Sequence, residues 1–266
     1  MKTKVCVVGC GNLGGAVIRG LAGTSEYDVF GCDKDEDRLQ EVAEHCTETT
    51  TDAASIVDEV DVVALAVKPD VVGAVLDGLS LDDQVVVSFA AAVPLGFLGR
   101  HTDARVVRVM PNLAAEYREM AAAVSPPGEV PDVAARMLDA LGTYVEIDES
   151  EMDVATAVNG SGPAFVFYLI DAMTSAGVEG GLTESEAERL VVQTFRGAAE
   201  IVEGDERSID ELIDAVCSPG GTTIEGMEVL RGSTVAEDVG DAVAAAERRS
   251  EEISREVARQ LDEGEG

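Results

Sequence analysis

The chain contains no tryptophan, only 4 tyrosines and 6 phenylalanines, and just four lysines (Lys2, Lys4, Lys34 and Lys68) among its 266 residues. Any core must therefore be built from valine, alanine, leucine and isoleucine. The five cysteines, at 6, 10, 32, 46 and 217, are odd in number and form no C-x-x-C pair. That argues against a disulfide framework or a zinc ribbon and for a reducing cytoplasm. The two histidines, His45 and His101, sit alone and read as surface residues, so no metal site is expected. No stretch approaches a membrane span, and the N-terminus runs straight into a strand without a signal peptide.

Positive charge is also scarce: 52 acidic residues stand against 19 basic ones, for a net charge of -33. Such a surface repels nucleic acid and anionic lipid, which excludes both as main partners. Hydrophobic content is nevertheless 46%, so the chain is globular. An acidic, lysine-poor surface on an ordinary core reads as adaptation to high salt, where screening relieves self-repulsion. That feature concerns solvent rather than function. The length suits one large domain or two modest ones.

Glycine is plentiful, and its placement is informative. Lys4 to Gly9 is an apolar run ending in glycine, as in a buried parallel strand. It continues as Gly9-Cys10-Gly11-Asn12-Leu13-Gly14, a G-x-G-x-x-G, and then into a helical pattern from Ala16 to Leu21. A second strand, Asp28 to Cys32, ends at Asp33, 19 residues beyond Gly14. Strand, glycine turn, helix, strand and acid form the context that a dinucleotide fingerprint requires. Gly9 would permit the tight turn, Gly11 the approach of the pyrophosphate, and Gly14 close helix–strand packing. The phosphates would meet unpaired N–H groups at the helix start. Asp33 could accept from the adenosine ribose 2′-OH of NADH. Lys34 and Arg38 could instead hold the 2′-phosphate of NADPH, and the sequence leaves that choice open.

Three further strands are expected: Asp61–Val67, closed by Lys68-Pro69; Gln84–Phe89, followed by Ala90-Ala91-Ala92; and Arg105–Val109, before Met110-Pro111-Asn112. In an open α/β sheet the ligand lies at the carboxyl ends of the strands, so these ends should face the nicotinamide half of the cofactor. After Tyr144–Ile147 no strand signal survives. The run Ala164–Ile170 is apolar all round, which predicts a buried helix opened by Pro163. Helices follow from Thr183 to Val202, with a capping pattern over Thr183–Glu186, and from Ile209 to Val216. The last helix carries an apolar stripe from Val235 to Leu261. The expected architecture is an N-terminal doubly wound, Rossmann-type parallel sheet over residues 1–150, followed by an all-α domain over 151–266.

Ser218-Pro219-Gly220-Gly221-Thr222-Thr223 places two glycines directly before a helix. By itself it is either an ordinary turn with Thr222 as the capping hydroxyl or an anion site.

Taken together, Leu65-Ala66-Val67-Lys68-Pro69, Arg108–Asn112, Thr156–Pro163 and Ser218–Ile224 resemble the pyrroline-5-carboxylate reductase family along nearly the whole chain. The resemblance implies hydride transfer from NADPH or NADH to the cyclic imine 1-pyrroline-5-carboxylate, giving L-proline. It implies that Ala66, Val67, Lys68, Pro69, Ala90 and Ala91 line the nicotinamide and its ribose. It implies that Gly221 and Thr222 grip the substrate carboxylate, that Thr223 hydrogen-bonds the ring nitrogen, and that Glu149 lies near the substrate. It also implies a homodimer through the C-terminal helical domain and rings of dimers. The chain departs from the family pattern at Ala92, where glycine is favoured, at Asn159, where serine is usual, and over Leu113–Met120. There, Glu116 and Arg118 bring charge to the expected cleft. A paralogue acting on another cyclic imine or related acid, and a non-catalytic dinucleotide sensor, are the alternative readings.

Overall fold

Valine-rich runs of four to six residues separated by glycine, acidic and proline turns form a parallel sheet. The structure, a computed structural model, describes residues 2–264. In chain order come β1 (Thr3–Val8), α1 (Asn12–Ala22), β2 (Tyr27–Cys32), α2 (Glu36–Val42), β3 (Glu48–Thr50), β4 (Val62–Leu65), α3 (Val72–Asp77), β5 (Val85–Ser88), α4 (Leu95–His101), β6 (Arg105–Met110), β7 (Met120–Ser125), α5 (Asp132–Leu141) and β8 (Gly142–Glu146). The strand order is β3-β2-β1-β4-β5-β6-β7-β8. Only the β6–β7 pairing is antiparallel. The order reverses between β1 and β4, so the crevice at their carboxyl ends is the topological switch point.

Both faces of the sheet are covered, which is why its strands read as continuous apolar runs rather than as alternating ones. On one face Val5, Val7, Val62 and Val85 pack beneath α1, α2 and α5. On the other, Cys6, Val63, Leu65 and Val86 pack with α3, α4 and the late residues Val257 and Leu261. Two strands escaped the sequence pattern. β3 is three polar residues that join the sheet edge through their main chain, Phe30 opposite Glu48. β7 is Met-Ala-Ala-Ala-Val-Ser, a composition without β-branched residues except one valine, and pairing to both β6 and β8 makes it a strand.

Beyond β8 the chain is helical: α6 (Met152–Ala155), a π-helical turn (Thr156–Gly160), α7 (Gly162–Glu179), α8 (Glu184–Gly204), α9 (Ile209–Val216), α10 (Thr222–Arg231) and α11 (Val235–Gly264). Two compact units result, but their limits differ from the expected boundary at 150. The first holds the residues up to Gly160 and those from Ala244 onward; the second is Ser161–Val243. The difference has a packing cause. Met152 and Ala157 are buried, Asp153 accepts hydrogen bonds from Ser250 and Ser254, and Val257 and Leu261 enter the sheet's core.

In the second unit, α8 and α9 each begin with a reciprocal capping box, Thr183 with Glu186 and Ser208 with Glu211. Each cap stabilises its helix by about 1 kcal/mol. Gly177 of α7 allows Ala187 of α8 to pack close, a Cβ there lying 3.1 Å from the Ala187 Cβ. The expectation that the apolar run Ala164–Ile170 is buried is overturned. No residue of α7 is buried, and Phe167 and Tyr168 are 67% and 75% exposed. An all-round apolar helix needs cover on every side, and within one chain this unit is too small to supply it.

Candidate active site

The glycine turn owes its geometry to three different constraints. Gly9 has φ +97°, and a Cβ on it would lie 2.6 Å from the Ala66 carbonyl oxygen, so both conformation and space demand glycine. A Cβ on Gly14 would overlap the Gly9 carbonyl oxygen, which sets α1 directly against the end of β1. Gly11 differs: its nearest neighbour would be Arg38 Nη1 at 3.6 Å, and the space beside it is open. Gly11 is also the N-cap of α1, with no side chain bonded to the first N–H groups and no acid in the first turn. Asn12 is exposed and Leu13 half-buried on that turn. Uncapped N–H groups beside an open glycine can receive a pyrophosphate, so the residues present fit a dinucleotide.

Asp33 braces the turn. Its Oδ2 accepts from the Cys10 N–H at 2.8 Å and its Oδ1 from the Asp35 N–H at 3.0 Å. Lys34 projects into solvent. Four thiols lie under this region, and Cys10 and Cys46 both reach the space that a Gly31 side chain would fill. Burial pushes Cys10 up to about 12 and Cys32 and Cys46 up to about 11, and it raises Cys6 further still. These thiols are neutral packing groups rather than nucleophiles.

At the neighbouring strand ends, the Ala66 N–H donates to the Val8 carbonyl at 2.8 Å, which fixes the start of the Ala66-Val67-Lys68-Pro69 loop. Lys68 is exposed, and Pro69 opens a single 3₁₀ turn. After β5, Ala90 is buried and Ala91 exposed. Ala92 has φ +63°, in the left-handed region, which explains why glycine is favoured there. Glu149 is held within the first unit. Its Oε1 accepts from the Leu95 N–H at 2.7 Å and from Arg108 Nη1 at 2.8 Å, joining the start of α4 to β6.

Three expectations about the surroundings change. Glu116 pairs with Arg19 of α1 at 3.0 Å, and Ala115 is buried where Gly20 allows its carbonyl to approach. The Glu116 charge is thus paired with α1, and Arg118 occupies a left-handed turn at φ +60°. Asn159, in place of the usual serine, donates to the Met110 and Ala121 carbonyls at 2.7 and 2.9 Å and ties the π turn to the sheet. His101 is not a surface residue. Its side chain is 14% exposed, Nδ1 lies 2.8 Å from Asp77, and its ring packs on Phe97. Signals for all three lie in partners distant in sequence.

In the second unit, Ser218–Gly221 makes a turn closed by the Gly221 N–H on the Ser218 carbonyl, with Gly220 at φ +68°. A Cβ on Gly221 would collide with Ser218 Oγ. Gly221, not Thr222, is the N-cap of α10, and no side chain caps it. Thr222 and Thr223 occupy the exposed first turn, so backbone N–H groups and two hydroxyls are available there to an anion. Among the described residues no cluster of histidine, cysteine or acidic side chains could hold a metal ion, and no helix is long and apolar enough to cross a membrane.

A doubly wound sheet with an uncapped glycine turn, followed by a helical unit, places the chain in the Rossmann class of dinucleotide-binding folds. Comparison with known proteins narrows this. The pyrroline-5-carboxylate reductase dimerisation model matches residues 149–253, and the model described as NADP oxidoreductase, coenzyme F420-dependent, matches residues 4–92. The pyrroline-5-carboxylate reductase of Methanosarcina acetivorans is 37% identical, over 95% of this chain and 98% of its own. That of Escherichia coli is 31% identical over 96% and 100%. Among solved structures, the Coxiella burnetii enzyme superposes with a TM-score of 0.85 at 30% identity, covering 95% of this chain and 98% of its own. The Plasmodium falciparum enzyme with NADP bound gives 0.80 at 27%, with the same coverage. The chain belongs to the pyrroline-5-carboxylate reductase family.

Proposed function

We propose that this protein reduces 1-pyrroline-5-carboxylate to L-proline with a reduced nicotinamide dinucleotide. The observation that carries the reading is the family match along the whole chain, with the Ser218–Thr223 turn intact. The bound dinucleotide supplies the hydride. Gly9, Gly11, Asn12, Leu13, Gly14 and Asp33, with Lys34 beside them, shape its phosphate and adenosine seat. Ala66, Val67, Lys68, Pro69, Ala90 and Ala91, at the carboxyl ends of β4 and β5, receive the nicotinamide half.

The unpaired N–H groups of the first turn of α10, around Gly221 and Thr222, hold the substrate carboxylate, and the start of α10 adds a favourable field. The Thr223 hydroxyl orients the imine nitrogen and relays to it a proton that solvent water supplies. A hydroxyl is too weak an acid to be the ultimate proton source. The 113–120 loop, packed on α1, offers no support for a different substrate.

The matched dimerisation region and the exposed apolar face of α7 support a homodimer. Assembly of dimers into rings, a cytoplasmic setting and function in high salt belong to the same proposal, the last resting on the net charge of -33. Purified protein in molar salt is expected to oxidise NADH or NADPH when given pyrroline-5-carboxylate. No turnover with either cofactor would refute the reading. Thr223→Ala should lower kcat by about a hundredfold with a smaller change in KM; unchanged kinetics would remove Thr223 from the mechanism.

A further inference from the structure

At the end of β2, the Asp33 side chain is only 11% exposed, and its two oxygens accept backbone N–H groups, one from Cys10 in the dinucleotide turn and one from Asp35 at the start of α2. In dinucleotide folds, an acid at this place bonds the adenosine 2′-hydroxyl, while an arginine nearby receives a 2′-phosphate. Arg38 is the arginine in position, since its guanidinium borders Gly11. Its charge is already shared, however. Nη1 lies 3.8 Å from Asp33 Oδ2, and Nε lies 3.6 Å from Asp35 Oδ2. Lys34 is flanked by acids on both sides. Between residues 33 and 38, Asp33, Asp35, Glu36 and Asp37 outnumber Lys34 and Arg38.

A 2′-phosphate brings about two further negative charges. To be held, it would have to draw Arg38 away from two carboxylates and remain beside them. A 2′-hydroxyl needs only an acceptor and adds no charge. The Asp33 carboxylate cannot swing aside without releasing the Cys10 N–H and loosening the turn itself.

We propose that this protein selects NADH over NADPH, with Asp33 as the specificity-determining residue and Asp35 holding Arg38 away from phosphate duty. The inference rests on the reductase reading and adds the identity of its cofactor. Substrate-free protein titrated with each reduced cofactor, followed by nicotinamide fluorescence, should bind NADH at least about tenfold more tightly, the scale of one uncompensated like-charge contact. Asp33→Asn should narrow that gap by strengthening NADPH binding. Asp35→Asn keeps the α2 cap, since asparagine caps as well as aspartate. It frees Arg38, and it should lower the Kd for NADPH while leaving that for NADH unchanged. The second variant serves if the first fails to fold.

Molar salt should reduce the discrimination without abolishing it, because Asp35, Glu36 and Asp37 are exposed while Asp33 is shielded. NADPH binding as tightly as NADH, or a ratio unmoved by both substitutions, would overturn the inference and leave the reductase intact. Binding of neither cofactor would overturn the reductase reading and this inference with it.

Discussion

The two units solve the burial problem differently. In the first, the sheet is covered on both faces and Val5, Val7, Val62 and Val86 are fully enclosed. In the second, Ala187 and Val191 are the buried hydrophobic residues among those described, while Phe167, Tyr168, Leu190 and Val229 stand open. The difference teaches that one chain is a sufficient solvent shield for the dinucleotide sheet but not for the helices. Large apolar side chains exposed in this number point to an interaction surface, and the proposed occupant is a second copy.

The comparison can be broken most severely on α7. Phe167→Glu should weaken the dimer by about a hundredfold or more, as expected for a central aromatic anchor. Sedimentation would show monomers, and the first unit should keep its cofactor affinity. An unchanged dimer would place the interface elsewhere.

Alkaline pH should act on the other side, because Cys6, Cys10, Cys32 and Cys46 all lie in the first unit. Their folded values are raised above the ordinary thiol value of 9.0, to about 12 for Cys10 and about 11 for Cys32 and Cys46. The folded state therefore keeps protons that the unfolded chain releases. The stabilisation is fully present below pH 9 and is lost as pH rises through about 11–12. The slope is about 1.4 kcal/mol per pH unit for each thiol. Melting curves of the first unit between pH 8 and 11 would measure it, and a flat Tm would contradict the assignment.

A smaller effect is expected at Glu149. Glu149→Gln removes the charge that satisfies Arg108, whose side chain is 12% exposed, and should cost about 1–3 kcal/mol of stability. If Glu149 also serves the substrate, KM should rise beyond what the lower Tm explains. A KM shift with no loss of stability would mean that the Arg108 contact is incidental. The smallest change is Ala92→Gly, which should stabilise the first unit by about 0.5–1 kcal/mol. It relieves a left-handed alanine at some cost in unfolded-state entropy. Destabilisation in a thermal melt would show that the alanine methyl is needed for packing.

What the sequence discloses follows the same division. The path from Lys4 through Gly9, Gly11 and Gly14 to Asp33 is legible because each requirement is local: a buried strand, a positive φ, a helix start, an acid at a strand end. The capping box at Thr183–Glu186 is legible for the same reason. β3 and β7 are not, since Glu48-Thr49-Thr50 and Ala121-Ala122-Ala123 become strands only through neighbours distant in the chain. The roles of Glu116 and Asn159 depend on Arg19, Met110 and Ala121, and no spacing rule connects them. α7 is the instructive failure. Its apolar pattern predicts cover on every side, no residue of it is buried within this chain, and a sequence pattern does not say which molecule would supply the cover.

The central claim is imine reduction, and isotope transfer tests it most directly. Protein in molar salt, given pyrroline-5-carboxylate and a reduced cofactor carrying deuterium at the nicotinamide C4 position it donates, should yield L-proline with one deuterium at C5. Proline without label, or no proline while the cofactor is bound, would contradict the account.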